Sequence, residues 1–182
     1  MRFDYVPFFC EENIYRLAAS RLALEPEVAS AASRATVIFI SNQARQVLVS
    51  RQKAGRGPLH VVIWDYHVVY EEAGMLFDLD STLDCPIRCD QWIEATFPAA
   101  VLKAYPELAP RFVIVPAQDF VGSFTTDRRH MRRSDGSYRS PPPGWPAPTA
   151  AGSAHNLDSF IEGRHESVSR VTDLETMRAA WR

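Results

Sequence analysis

The chain is poor in the residues that would announce the simpler protein classes. Only three of its 182 residues are cysteine (Cys10, Cys85 and Cys89), too few and odd in number for a disulfide framework. Its eight glycines are scattered singly, so no Gly-rich loop exists to cradle a phosphate. Basic residues are not in excess: 20 Lys and Arg face 22 Asp and Glu, for a net charge of −2. That balance excludes the basic footprint of a nucleic-acid binder and argues against a membrane-surface protein. Charged or proline residues interrupt every apolar run well before the ~18 residues of a spanning helix. Asp4 and Pro7 break any signal-peptide core, and Glu11 and Glu12 follow at once. No internal repeat is evident. The expectation is a soluble, reduced, cytoplasmic protein.

Against these absences, 46% of the residues are hydrophobic, enough for one self-sufficient core. Ile14, Leu17, Ala18 and Leu22 follow Cys10 at helical spacing and predict an amphipathic helix over residues 10–24. Residues 27–34 suggest a second short helix. The runs 36–40 and 46–50 read as strands, with Ser41-Asn42 as a turn signal between them. Residues 60–70 form the longest β-like segment and, with 75–80, predict a hairpin turning at 71–74. A helix over 90–104 should kink or split at Pro98. Residues 112–115 read as a buried strand. The stretch from 122 to 152 is loop-like, and its Pro-rich part, about 134–152, is expected to pack on the domain through aromatics such as Tyr138 and Trp145. Two short helices close the chain, one after Asn156 and one after Thr172, where Thr172-x-x-Glu175 matches a capping box. The order predicts an α/β (α+β) single domain over 1–182, with a largely antiparallel sheet flanked by helices.

Three side chains stand out. A thiol at a helix start, as at Cys10, is favoured as thiolate by the unpaired N–H groups there, although Glu11 and Glu12 oppose a second anion; the bland alternative is a buried, inert cysteine. In the hairpin, a turn centred between Glu72 and Ala73 makes partner numbers total 145 and sets Asp78 opposite His67. A slip to 147 gives Asp80 that place instead. A carboxylate beside the ring would hold one tautomer and stabilise the imidazolium, unless the pair is merely structural. Together Cys10, His67 and Asp78 supply nucleophile, base and orienter for acyl transfer. Cys85-x-x-x-Cys89, even with His130 or His155, lacks a second pair at metal-ligand spacing, so no metal is expected. The basic run 128–133 lacks interleaved aromatics and reads as a solvated face.

Several strings resemble one family. Phe9-Cys-Glu-Glu-Asn-Ile14, Val62-Ile-Trp-Asp-Tyr-His-Val-Val69, Phe77-Asp-Leu-Asp80, Asp127-Arg-Arg-His-Met131, Pro141-Pro-Pro and Asn156-Leu-Asp-Ser-Phe-Ile161 are similar to the protein N-terminal glutamine amidohydrolases. The matches run in order over roughly residues 8–175. The resemblance implies a compact fold akin to transglutaminase and papain-type thiol enzymes. It implies a monomer that converts an N-terminal Gln of a protein or peptide to Glu with release of ammonia, a step that in eukaryotes prepares substrates for N-degron processing. It places the family's Cys, His and Asp on Cys10, His67 and Asp78, the last being the first acid of Asp-Leu-Asp.

The implied chemistry is a Cys10 thioester and needs no cofactor. The substrate's α-ammonium then requires a carboxylate, for which Glu11, Asp65 and Asp80 are candidates, and Trp64 is a possible oxyanion donor beside the Cys10 N–H. A thiol protease, a transglutaminase-type acyl transferase and a non-catalytic N-terminus-binding module are the alternatives.

Overall fold

A computed structural model describes residues 4–24 and 34–182. The helix expected over 27–34 lies almost wholly outside the described residues. Among the described residues, fourteen principal elements follow one another in the order of the chain. They are α1 (Cys10–Leu22), β1 (Thr36–Ser41), β2 (Val47–Val49), β3 (Val62–Trp64), β4 (His67–Glu72), β5 (Met75–Phe77) and β6 (Ile87–Arg88). Next come α2 (Cys89–Thr96), α3 (Ala99–Ala104), β7 (Arg111–Pro116), α4 (Ala117–Ser123), α5 (Leu157–Ile161), β8 (Arg170–Asp173) and α6 (Leu174–Ala180).

Six strands form one sheet in the order β6-β5-β4-β1-β7-β8, and every neighbouring pair in it is antiparallel. β2 and β3 pair separately as a two-stranded ribbon. The central strands are hydrophobic at consecutive positions because helices cover both faces of the sheet, so period-two alternation sends each half of a strand into a different core. Val37, Phe39, Val68, Tyr70 and Val113 pack with Ile14, Leu17, Phe120, Phe124 and Phe160. Ile38, Ile40, Val69 and Phe112 pack with Val47, Trp92, Phe97 and Met177 on the other side. The described residues thus form one α+β unit with a mostly antiparallel sheet flanked by helices, the expected fold class.

Several elements differ in detail. Pro98 splits the expected helix 90–104 into α2 and α3 and sits as the N-cap of the second, where its missing N–H is no loss. The segment 60–70 is two strands: β3 pairs with β2, and β4 pairs with β1, the chain changing sheets at Asp65-Tyr66. The hairpin turn sits one residue later than expected. Ala73 and Gly74, at φ 52° and 78°, form a two-residue loop, the pattern of a type I′ turn. Tyr70 pairs with Phe77 and Glu72 with Met75, so partner numbers total 147 rather than 145. The last helix is capped one residue later than the capping box placed it: the Thr176 N–H donates to Asp173 Oδ1 at 2.8 Å, while Thr172 belongs to β8. β8 was not anticipated, because a largely exposed edge strand carries little hydrophobic signal.

Candidate active site

Cys10 is the first residue of α1, and the turn ahead of it is firmly fixed. Asn13 accepts from the Val6 N–H at 3.0 Å and donates to the Val6 carbonyl at 2.8 Å. Phe8, at φ 68°, holds a left-handed conformation that a bulky residue seldom adopts. Phe9 is fully buried and anchors the helix start in the core. α1 packs across β4, the strand that begins with His67.

A cavity of about 560 Å³ opens at this junction, lined by Cys10, Trp64, Asp65, Tyr66, His67 and Asp80. The Pro-rich stretch completes part of the wall through Arg139, Ser140 and Pro141. His130 and Met131 also face the cavity, from the 3₁₀ turn Arg129–Met131.

Asp78 stands behind His67 rather than in the cavity. Its Oδ1 lies 2.9 Å from His67 Nε2 and accepts the Asp80 N–H at 3.1 Å. Its Oδ2 accepts from Gln52 Nε2 at 3.1 Å and from Trp92 Nε1 at 3.2 Å. Burial alone would raise the Asp78 carboxyl, but the charge and hydrogen bond of His67, with the bonds from Gln52 and Trp92, hold it below the usual carboxylate range. Burial alone would lower His67, but Asp78 carries it above the ordinary imidazole value, with Asp80 adding. An ionised Asp78 only accepts, so the ring presents Nε2–H to it and leaves Nδ1 for other partners. The hairpin register of 147, extended, would set residue 80 against residue 67. The ladder ends at Phe77, however, and the chain turns away so that Asp78 meets the ring.

Cys10 is only 8% exposed. Burial pushes its thiol well up, and the charges of Glu11, Asp80 and Asp65 add to this, against a hydrogen bond with the Val68 backbone. The expectation that a helix start would favour the thiolate is therefore outweighed in the resting site. Glu11 is fully buried: its Oε2 accepts from the Tyr66 hydroxyl at 2.8 Å and lies 3.8 Å from Cys10 Sγ, and its Oε1 is 3.2 Å from His130 Nε2. Asp80 accepts from the Tyr5 hydroxyl at 2.6 Å, and burial raises its carboxyl. The Trp64 indole N–H, expected as an oxyanion donor, is committed to Gln52 Oε1 at 3.3 Å, while its ring stacks on His67.

Arg129, Arg132 and Arg133 of the basic run are exposed, as expected of a solvated face, but Arg128 is not. Arg128 is 9% exposed and grips the fully buried Glu12 with Nε at 2.7 Å and Nη2 at 2.8 Å. The same guanidinium donates to the carbonyls of Pro143 and Trp145, and Trp145 Nε1 donates to Glu12 Oε2 at 2.9 Å. A clasp thus joins the Pro-rich stretch to the helix that bears Cys10. Sequence reasoning missed this clasp as well as Gln52, Trp92 and Tyr66. The strings 62–69 and 127–131 did contain Tyr66 and Arg128, but nothing in them named their partners.

Among the described residues, His67, Asp78 and Asp80 form a group whose ligand atoms lie within 4.8 Å of one another. The four donors on Asp78 leave that group poorly suited to a cation, which would have to displace N–H groups already in place. Cys85 and Cys89 join no such group with His130 or His155. Among the described residues no helix is long and apolar enough to cross a membrane.

Residues 5–180 match the family model described as N-terminal glutamine amidase. Over 163 residues the chain is 40% identical to proteins named protein N-terminal glutamine amidohydrolase from Drosophila erecta and Drosophila melanogaster, covering 87% of this chain and 78% of theirs. The Drosophila willistoni protein of the same name is 39% identical over the same shares.

Proposed function

The chain belongs to the N-terminal glutamine amidase family, and from that premise we propose that it hydrolyses the side-chain amide of an N-terminal Gln in proteins or peptides. Glu and ammonia are the products, and Cys10, His67 and Asp78 act as a triad. The observation that carries this reading is the placement of Cys10 and His67 on one cavity with Asp78 at 2.9 Å behind the imidazole.

The Cys10 proton passes to Nδ1 of His67, because Nε2 is held by Asp78, and the sulfur attacks the amide carbon. The backbone N–H of Cys10, in the first turn of α1, donates to the oxyanion. His67 returns its proton to the leaving nitrogen, without which ammonia could not depart. A thioester remains on Cys10; His67 then takes a proton from water, hydroxide attacks, the carbon–sulfur bond breaks, and His67 returns the proton to the Cys10 sulfur as Glu is released. Asp78 holds the ring in the tautomer each step requires.

The test is ammonia release from a Gln-initiated peptide, with mass spectrometry of the product. The wild type should release one ammonia per peptide without cleaving it, and Cys10→Ala should release none. Peptide fragments, or capture of an added primary amine in place of water, would move the protein to the protease or transglutaminase class.

A further inference from the structure

An N-terminal Gln presents two recognition problems, and the triad answers only the first. The amide carbon must reach Cys10, but a charged α-amine about 5 Å away also has to be matched. A cationic amine taken from water without an anionic partner is strongly disfavoured. The rest of the substrate continues from that amine's own residue out to solvent. The partner should therefore sit at the open side of the cavity, not on its floor beside the largely buried Cys10.

Two carboxylates, Asp65 and Asp80, line the cavity, and two more, Asp78 and Glu11, are buried behind it. Asp78 accepts from four donors. Glu11 is fully buried between the Tyr66 hydroxyl and His130. Asp80, 7% exposed, is held by the Tyr5 hydroxyl and lies near the Lys53 charge. Asp65 differs in its exposure. It is exposed and lines the cavity. Its Oδ1 accepts only from the Tyr66 N–H at 3.0 Å, and its Oδ2 has no hydrogen-bond partner among the described residues.

Asp65 is also held in place. Its carbonyl accepts from the buried Ser41 hydroxyl at 2.6 Å, and the bond from the Tyr66 N–H fixes the side chain. It occupies the point where the chain leaves β3 for β4, two residues before His67. The sheet change thereby delivers a carboxylate and an imidazole to the same cavity from one short segment.

We propose that Asp65 receives the substrate's α-ammonium through Oδ2 and so confines the reaction to a Gln whose amine is free. This assignment rests on the amidase reading above. A preorganised acceptor for a charged donor corresponds to about a 10- to 100-fold preference for the ammonium over its absence.

The experiment compares two peptides with the same amide: one begins with Gln, the other with a 4-carbamoylbutanoyl group, which is Gln without its α-amine. The readout is the ratio of their kcat/KM values, measured by ammonia release. Wild type should prefer the Gln peptide about 10- to 100-fold. Asp65→Asn should bring the ratio close to one by weakening only the Gln peptide, mainly through KM. Asp65→Ser, which also accepts from Tyr66 N–H but carries no charge, should behave alike. A general structural lesion would depress both peptides together and leave the ratio unchanged. A ratio that survives both substitutions, or one that collapses in Glu11→Gln or Asp80→Asn instead, overturns the assignment and leaves the amidase reading standing. No ammonia from either peptide with the wild type would overturn both.

Discussion

Asp78 reaches His67 from outside the strand ladder. The imidazole Nε2 lies 2.9 Å from Oδ1, although the paired part of the hairpin ends one residue earlier, at Phe77. The carboxylate is thus held by Gln52, Trp92 and the Asp80 N–H rather than by strand pairing. Asp78→Asn should keep the fold yet lower kcat about 10²- to 10⁴-fold, because an amide neither enforces the tautomer nor balances the imidazolium. Asp80→Asn should lose less, since its side chain faces Tyr5. Steady-state kinetics on a Gln peptide settle the order, and a larger loss at residue 80 would refute it.

The acid limb of the activity profile should lie above about pH 6.5, the ordinary imidazole value. Asp78 raises His67, and burial raises Cys10, so at low pH the pair carries one proton too many for thiol attack. Activity rises as that proton is lost. The apparent pKa belongs to the pair rather than to either residue. In Asp78→Asn, with burial left to lower the imidazole, the limb should shift to lower pH. A limb unmoved by that substitution would dissociate His67 from it.

Three altered peptides should be poor substrates: one acetylated at its N-terminus, one with Gln at position two, and one beginning with Asn. Loss of the ammonium contact penalises the first two, by at least about 10-fold. For Asn the amide carbon is one methylene short. With the amine anchored it would miss its position by more than ~1 Å, a displacement that can lower the rate about 10²-fold. Comparable rates on the acetylated or internal-Gln peptide would indicate a general glutaminyl amidase.

Arg128→Met should lower stability by about 3–5 kcal/mol, because it leaves the fully buried Glu12 without its charged partner. Adding Glu12→Gln should recover part of the loss. Urea titrations of the two single variants and the double variant give the coupling directly, and simple additivity would show that the pair is not a unit.

The sheet was legible where hydrophobic runs were long. β1, β7 and the helix at Cys10 stand within a few residues of their expected bounds, because buried strands and an amphipathic stripe leave a periodic trace. The hairpin shows the limit of such local reasoning. The register was misjudged by a shift of two in the partner total, yet Asp78 still meets His67, for a reason the arithmetic did not contain. The unbroken β-like run from 60 to 70 hid the change of sheet at Asp65, since β3 and β4 read alike and only their partners differ. Gln52, Trp92 and the Arg128–Glu12 clasp were illegible for a related reason. Their roles depend on residues 14 to 116 positions away, and nothing in a local pattern encodes such a partner.

The clasp also sets a timetable. Glu12 and Arg128 are 116 residues apart, and the strip carrying Pro143 and Trp145 comes later still. At ribosomal speeds of 5–20 residues per second, roughly 6–23 s pass between synthesis of the helix start and synthesis of the arginine that fastens a wall to it. During that interval a nascent chain exposes Cys10 with no finished cavity around it.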